Sequence, residues 1–278
     1  MGAAVRLAFQ RVPYQYLVMN RKNPPPYHQP YLDVGSGSVV LLLHGLFGNV
    51  QQWKPLVEAL KTNFRVIVPR LPLFDLPVEN NSVKYLTQVL HDFLEWHQLT
   101  DVNLVGHAMG GQLAVTYTHR YPHRVNRLVL ISSAGLAERN PFINPRDHVD
   151  DYDYVHDKVE SAFFKREFVP EDFVDEIYAT VQNISKRMAL DHLMRSARNS
   201  GVGSFLHKID HPVLLVWGLN DNVHVPEQAL HFHDLLPNSE IKFIDECGHL
   251  PMVEQPTVFV QHVTHFLNEL NPLKNWHG

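Results

Sequence analysis

Four short stretches of this chain carry residue types that together could attack a carbonyl group. The first is Gly106-His107-Ala108-Met109-Gly110, in which glycines two positions before and after Ala108 allow a sharp turn from a strand into a helix. Such a turn exposes its central side chain at the edge of a sheet, where a serine could act as a nucleophile. The chain has alanine at that centre, so the turn lacks the reactive atom.

The second stretch, His44 to Gly48, follows an apolar run and begins with a His-Gly pair. A pair at that place lets the next backbone N–H face the turn around position 108 and bind a developing oxyanion. We assign this donor to Leu46 and its partner to the N–H of Met109.

The third and fourth stretches are WGLNDNVHVP, which contains Asp221, and DECGHLPMVEQP, which contains His249. Each follows a predicted strand, so both side chains are expected at the carboxyl edge of a sheet, where open α/β sheets bind ligands. A histidine there can act as a general base, and an aspartate can hold its tautomer. Asp221 taken singly is equally well explained as a turn-forming residue.

The elements that must position these residues alternate between short apolar runs and longer helical patterns. Continuous apolar runs of this length are typical of strands buried on both faces, so the pattern predicts a doubly wound, mostly parallel α/β sheet. The predicted strands are Val39 to Leu43, Arg65 to Val68, Val102 to Val105, Val125 to Ile131, Val213 to Trp217 and Ile241 to Ile244. The predicted helices are Trp53 to Thr62, Ser82 to His97, Gly110 to Tyr121, Pro226 to Leu236 and Pro256 to Leu270.

Two regions depart from this alternation. Ahead of Val39, VPYQYLVMN and YLDVGSG predict two antiparallel strands joined by the proline-rich turn RKNPPPYHQP. After Gly135 no convincing buried strand occurs before Lys208, and amphipathic runs predict helices instead. We therefore divide the chain into a core, residues 1–135 and 208–278, and a helical insertion, residues 136–207.

Composition limits the classes of partner. The 278 residues are 45% hydrophobic, carry a net charge of −5 and contain the single cysteine Cys247. A negative charge without basic clusters argues against nucleic acid, and one cysteine does not require an oxidising compartment. No signal peptide, lipidation signal or membrane span is recognised, so we expect a cytoplasmic protein with no membrane partner.

The chain from about Val39 to Leu270 resembles the α/β-hydrolase superfamily of esterases, lactonases and carbon–carbon bond hydrolases, with a lid inserted after Gly135. The resemblance implies a serine nucleophile at the position of Ala108 and oxyanion donors at Leu46 and Met109. It implies Asp221 as the acid of a catalytic triad and His249 as the base. We expect contacts with a small, uncharged or apolar substrate from the flanking residues Phe47, His107, Trp217 and Leu250.

One loop departs from the family pattern. Where the family often has Asp-x-x-Gly-x-Gly-x-Ser, this chain reads RLPLFDLPVENNS, so substrate preference cannot be carried over. Asp75 in that loop is interpreted as a loop cap rather than a site residue. The acidic stretch Asp147 to Glu160 matches no zinc, EF-hand or P-loop spacing, and we expect neither a metal nor another cofactor.

Alanine at position 108 leaves three interpretations open. A serine-to-alanine change made by engineering would hold a ligand without turnover, and it explains why the strained turn and its partners are all in place. A native, non-hydrolytic member would instead bind a ligand. A third interpretation is proton abstraction by His249 and Asp221 without serine, as in a lyase or a cofactor-free oxygenase. Because loss of a triad serine costs on the order of 10⁶ in kcat, we expect this chain to be disabled as a serine hydrolase.

Overall fold

The computed structural model describes residues 17–18, 29–136, 142–166 and 169–269. These residues form one eight-stranded sheet in the order β1-β2-β4-β3-β5-β6-β7-β8. Its strands are β1 (Leu17–Val18), β2 (Tyr31–Val34), β3 (Ser38–Leu43), β4 (Phe64–Pro69), β5 (Val102–His107), β6 (Val125–Ile131), β7 (Val213–Gly218) and β8 (Ser239–Ile244). Strands β3 to β8 are parallel to one another, whereas the pairs β1–β2 and β2–β4 are antiparallel.

The apolar runs form strands because they are buried on both faces of the sheet. In β3, Leu42 packs into one hydrophobic cluster while Leu41 and Leu43 pack into the other. Alternate side chains of a strand point to opposite faces, so each face needs a covering layer of helices. The predicted doubly wound, mostly parallel sheet is thereby confirmed, and each of the six predicted parallel strands is present with its ends moved by no more than two residues.

Helices cover both faces. Those formed by the described residues are α1 (Lys54–Leu60), α2 (Val83–Trp96), α3 (Met109–Arg120), α4 (Tyr152–Ser161), α5 (Glu171–Gln182), α6 (Ile184–Asn199), α7 (Glu227–Leu235), α8 (Pro251–Glu254) and α9 (Pro256–Asn268). Helices α1 and α9 pack on one face, and α2, α3 and α7 pack on the other. None of the helices in the described ranges is long and apolar enough to cross a membrane.

Several predicted ends differ from the observed ones. The predicted helix Trp53 to Thr62 is a 3-10 turn, Gln51–Trp53, followed by α1, because Pro55 near the start of α1 cannot donate a backbone hydrogen bond. The two N-terminal strands are antiparallel as predicted, although residues 21–28 of the proline-rich turn lie outside the described residues. Leu270, the predicted end of the last helix, also lies outside them.

Between β6 and β7 the regular elements of the described residues are the helices α4, α5 and α6 and a 3-10 turn, Leu206–Lys208, joined by turns and bends. The amphipathic run that begins at Val169 forms two helices, because the Asn183 side chain accepts a hydrogen bond from the N–H of Lys186 at 3.1 Å and starts α6. Phe173 and Leu190 of these helices belong to the same hydrophobic cluster as Leu42 of the sheet. The inserted helices therefore share one hydrophobic cluster with the sheet.

The strand order fixes where a ligand can bind. From β3 the chain crosses to β4 on one side, whereas β5 lies on the other side of β3. A crevice opens at such a reversal, outside the carboxyl ends of the strands. The loop after β3 and the turn after β5 meet there.

Candidate functional site

The turn around Ala108 is held by close approach of backbones. A Cβ on Gly106 would lie 2.4 Å from the carbonyl oxygen of Gly110, and one on Gly110 would lie 2.2 Å from that of Leu43. Ala108 itself has φ +49° and ψ −115°, a backbone conformation that costs a non-glycine residue free energy. Its N–H donates to the carbonyl of Ile131 at 3.0 Å, so the strained residue is fixed to the neighbouring strand.

His249 and Asp221 form a buried pair. The His249 Nδ1 lies 3.0 Å from Asp221 Oδ2 and 3.2 Å from Oδ1, with both residues less than a tenth exposed. Since a carboxylate only accepts, Nδ1 carries the proton and Nε2 is left with a lone pair. The pair therefore has the arrangement that a general base requires.

The Asp221 carboxylate also organises its own loop. Its Oδ1 accepts hydrogen bonds from the N–H groups of Val223 and His224, each at 2.9 Å. Burial, the largest single influence, raises the pKa of Asp221, but the attraction and hydrogen bonds of His249 and His224 together lower it below its ordinary value. Asp221 is thus an anion at neutral pH.

Two backbone donors at the cavity have no internal acceptor. Leu46, in the loop after β3, and Met109, at the start of α3, both line the cavity beside Ala108. Within the described part of the chain, neither N–H donates a hydrogen bond to protein. Both N–H groups therefore keep their capacity to donate to a ligand.

Two further histidines hold loops. His44 Nε2 accepts from the N–H of Leu71 at 2.9 Å, and burial lowers its pKa to about 4, so its ring is neutral. His107 Nε2 lies 2.9 Å from the carbonyl oxygen of His249 and donates to it. Burial, with a further contribution from His249, lowers the pKa of His107 well below its ordinary value. Both rings connect the site's loops.

Three of the four expected substrate contacts line the cavity, namely Phe47, His107 and Leu250. Trp217 does not: its side chain is fully buried beneath the site, against Phe232, and its Nε1 donates to the carbonyl of His224 at 2.8 Å. A strand residue facing the helix layer cannot reach a ligand at the sheet edge.

The cavity also has walls that the sequence did not reveal. His224 lines it and donates from Nδ1 to the carbonyl of Ser132 at 2.6 Å. The region between β6 and β7 contributes the largely apolar set Phe142, Ile143, Ala162, Phe173, Met194, Ala197 and Arg198. Which residues of the insertion line the cavity depends on how its helices pack, and no local motif encodes that packing.

Two other groups lie away from the cavity. Asp75 accepts from Gln29 Nε2 at 3.1 Å and lies 3.6 Å from Arg70, so it ties the surface loop together. Among the described residues, one group of possible metal ligands, His156, Asp157 and Glu160, lies within 4.8 Å on α4. Its side chains are partly or fully exposed, and exposed acidic groups commonly cluster without an ion.

Comparison with known proteins gives consistent matches. Residues 38–256 match the model of the alpha/beta hydrolase fold family. The chain is 28% identical to 2-hydroxy-6-oxo-2,4-heptadienoate hydrolase of Pseudomonas putida, over 84% of this chain and 91% of that protein. It is also 28% identical to 2-hydroxy-6-oxo-6-(2'-aminophenyl)hexa-2,4-dienoic acid hydrolase of Metapseudomonas resinovorans, over 86% and 87%.

A solved structure with the same fold is that of a meta-cleavage product hydrolase from Pseudomonas fluorescens IP01, a serine-to-alanine mutant complexed with acetates. The TM-score is 0.77 at 23% identity, covering 87% of this chain and 95% of that one. This likeness concerns the fold.

Proposed function

Because the chain belongs to the α/β-hydrolase fold family, we propose that its cavity is that of a serine hydrolase for an ester, a lactone or a similar carbonyl substrate, and that Ala108 disables it. The carrying observation is the convergence of position 108, the His249–Asp221 pair and the free N–H groups of Leu46 and Met109. The inserted residues 136–207 act as its lid, which the cavity walls from this segment support.

With serine at position 108, His249 Nε2 would take the hydroxyl proton as the oxygen attacks the carbonyl carbon. The oxyanion would rest on the N–H groups of Leu46 and Met109, while Asp221 stabilises the imidazolium. The imidazolium then protonates the leaving group, and water releases the acyl group through the same base. An ester and one water thus give an acid and an alcohol.

The test is Ala108→Ser, assayed on p-nitrophenyl esters, lactones and vinylogous diketones beside the alanine form. We expect the serine form to be faster by on the order of 10³ or more on one class, up to the roughly 10⁶ attributed to a triad serine. The matched control is Ala108→Ser with His249→Ala, which should return the rate to that of the alanine form. No gain on any substrate would contradict the proposal.

Ligand binding without turnover is a second candidate function. The observation that favours it is Ala108 itself, because a methyl group occupies the turn while the cavity and its free N–H donors stay in place. Tight binding of a panel compound with no turnover in either form would establish this function. Turnover by the alanine form that His249→Ala abolishes would instead indicate proton abstraction without serine. Sequencing codon 108 in the source gene separates a native from an engineered alanine.

The charge of the cavity refines the substrate. Arg198 is the one Lys, Arg, Asp or Glu side chain along its wall, and no ion pair engages it within the described residues. The two relatives above are named for an oxo-dienoate and an oxo-dienoic acid, which carry a carboxyl group. We therefore revise the uncharged or apolar substrate expected from the sequence to an apolar body that carries one acidic group.

The charge proposal is tested with Arg198→Met in the Ala108→Ser form, using an acidic and a neutral p-nitrophenyl ester of equal chain length. We expect about a tenfold rise in KM for the acidic ester, or about 1.4 kcal/mol, and no change for the neutral one. The control is Arg195→Met on the same helix, since Arg195 pairs with Asp191 at 3.1 Å and does not line the cavity. Equal effects on both esters would contradict the role.

A further inference from the structure

Two segments distant in the chain are joined beside the candidate base. The anchor segment, Ser161 to Lys165, begins at the last residue of α4 in the insertion, and the His249 loop, Asp245 to Leu250, follows β8. The N–H of His249 donates to the carbonyl of Ala162 at 2.7 Å. A Cβ on Gly248 would lie 2.5 Å from that same carbonyl oxygen, so only glycine permits this approach.

Glu254 lies at the centre of this contact. Its Oε2 accepts from the N–H of Phe164 at 2.8 Å and from that of Gly248 at 3.0 Å. Its Oε1 accepts from the N–H of Leu250 at 3.1 Å. One carboxylate therefore satisfies a donor from the anchor segment and the donors on both sides of His249.

We propose that Glu254 is a positioning residue, which fixes the His249 loop and fastens it to the inserted helices, so that the placement of the insertion sets the placement of the base. The catalytic consequence rests on the function proposed above, whereas the fastening of the two segments does not.

The chemistry of the side chain supports this role. An ionised carboxyl group only accepts, and its two oxygens have room for three or four N–H donors. Hydrogen bonds from backbone N–H to an ion are stronger than neutral ones, and loss of the acceptor would leave partly buried donors unpaired. Burial raises the pKa of Glu254, while the three N–H donors oppose that rise.

Glutamine cannot replace this acceptor pattern. Glutamine and glutamate side chains have almost the same shape. The amide of Glu254→Gln, however, has one accepting oxygen, and its NH₂ group would face an N–H donor. Either the Leu250 donor or the pair from Phe164 and Gly248 loses its partner. The substitution therefore removes at least one of the three hydrogen bonds to residue 254 without leaving a cavity.

The matched control is Glu246→Gln. Glu246 lies in the same loop and reaches the same anchor segment, since its carboxylate is 3.9 Å from Lys165 Nζ, but this pair is exposed. Exposed ion pairs contribute little to stability. The control therefore removes a charge between the same two segments and keeps the buried acceptor.

The first measurement is amide hydrogen exchange in the chain with Ala108. We expect Glu254→Gln to speed exchange at least tenfold in both the anchor segment and the His249 loop, with β5 unchanged and Glu246→Gln like the parent. Faster exchange in the His249 loop alone would overturn the proposal, because Glu254 would then only cap its own loop. Unchanged exchange in both segments would overturn it as well.

The second measurement uses the Ala108→Ser form well below its Tm. A displaced base should lower kcat about tenfold or more, change KM less than twofold and alter the pH profile, whereas a purely structural role would lower Tm and leave kcat unchanged. If Glu254→Gln does not fold, Glu254→Asp, which keeps the charge and shortens its reach, takes its place in both measurements. Should Ala108→Ser show no activity, the proposed function fails. The exchange result still tests whether Glu254 fastens the His249 loop to the anchor segment.

Discussion

The turn around Ala108 and the loops that carry Asp221 and His249 are held by different forces. The turn depends on clearance: Gly106 and Gly110 let backbones approach to distances that no Cβ allows. The two loops depend on carboxylates, because Asp221 accepts from backbone N–H groups of its own loop and Glu254 does so beside His249. The conformation of the turn thus depends on the absence of side chains at its glycines, whereas that of the two loops depends on carboxylate side chains.

This difference explains how the site tolerates alanine. The close backbone approaches at Gly106 and Gly110 and the bond from the Ala108 N–H to Ile131 hold the turn, and none of them needs a hydroxyl group at position 108. Removal of Asp221 would by contrast leave two backbone donors without an acceptor. Asp221 therefore has a structural reason to be present whether or not the chain performs chemistry, whereas the glycines have a purely steric one.

The largest expected effect separates the two roles of Asp221. In the Ala108→Ser form, Asp221→Asn keeps an oxygen for the N–H groups of Val223 and His224 but loses the anion that holds the His249 tautomer. We expect kcat to fall by on the order of 10⁴ with a small change in Tm. Steady-state kinetics and thermal unfolding measure both. If Asp221→Ala lowered kcat and Asp221→Asn did not, the role would be structural alone.

The next effect concerns the sterically held turn. Gly110→Ala would place a Cβ 2.2 Å from the carbonyl oxygen of Leu43, and we expect it to lower the free energy of unfolding by about 4 kcal/mol. Gly203→Ala is the control, since its nearest contact would be an ordinary 3.4 Å from Leu136. Urea denaturation measures both variants. Similar losses at the two positions would show that clearance does not hold the turn.

A smaller effect concerns His44, whose side chain joins the loop after β3 to the N–H of Leu71. Its pKa is about 4 in the folded chain and about 6.5 when unfolded, so the unfolded state binds the proton first as the pH falls. Its contribution is complete above pH 6.5 and is lost towards pH 4, by about 3 kcal/mol. His44→Gln, which keeps an acceptor for the N–H of Leu71, should flatten this part of the stability curve. Equal slopes in both proteins would contradict it.

Much of this architecture could be predicted because its signals are local. Runs such as Val213 to Trp217 are apolar throughout and form strands buried on both faces. Ser82 was a predicted helix start, and its side chain accepts from the N–H of Tyr85 at the beginning of α2. The location of the motif residues at one edge of the sheet could also be predicted, since the carboxyl ends of parallel strands share that edge.

The wrong and missing assignments have long-range causes. Trp217 lies one residue before the strand end, and its side chain faces the helix layer rather than the cavity. Arg198 and Phe173 reach the cavity only through the packing of α5 and α6. Glu254 lies five residues after His249, but its partner Phe164 lies 90 residues away, so no local pattern indicated the contact.

The sequence by itself determined which segments form the parallel strands, the sharp turn with alanine at its centre, and the places of Asp221 and His249 after later strands. These features depend on apolar periodicity, on glycine spacing and on residue type, which act over a few residues. The tertiary structure decided which side chains enclose the cavity and how the insertion is fastened to the His249 loop. Those contacts join segments far apart in the chain, and only the packing of helices on the sheet brings their atoms within hydrogen-bonding distance.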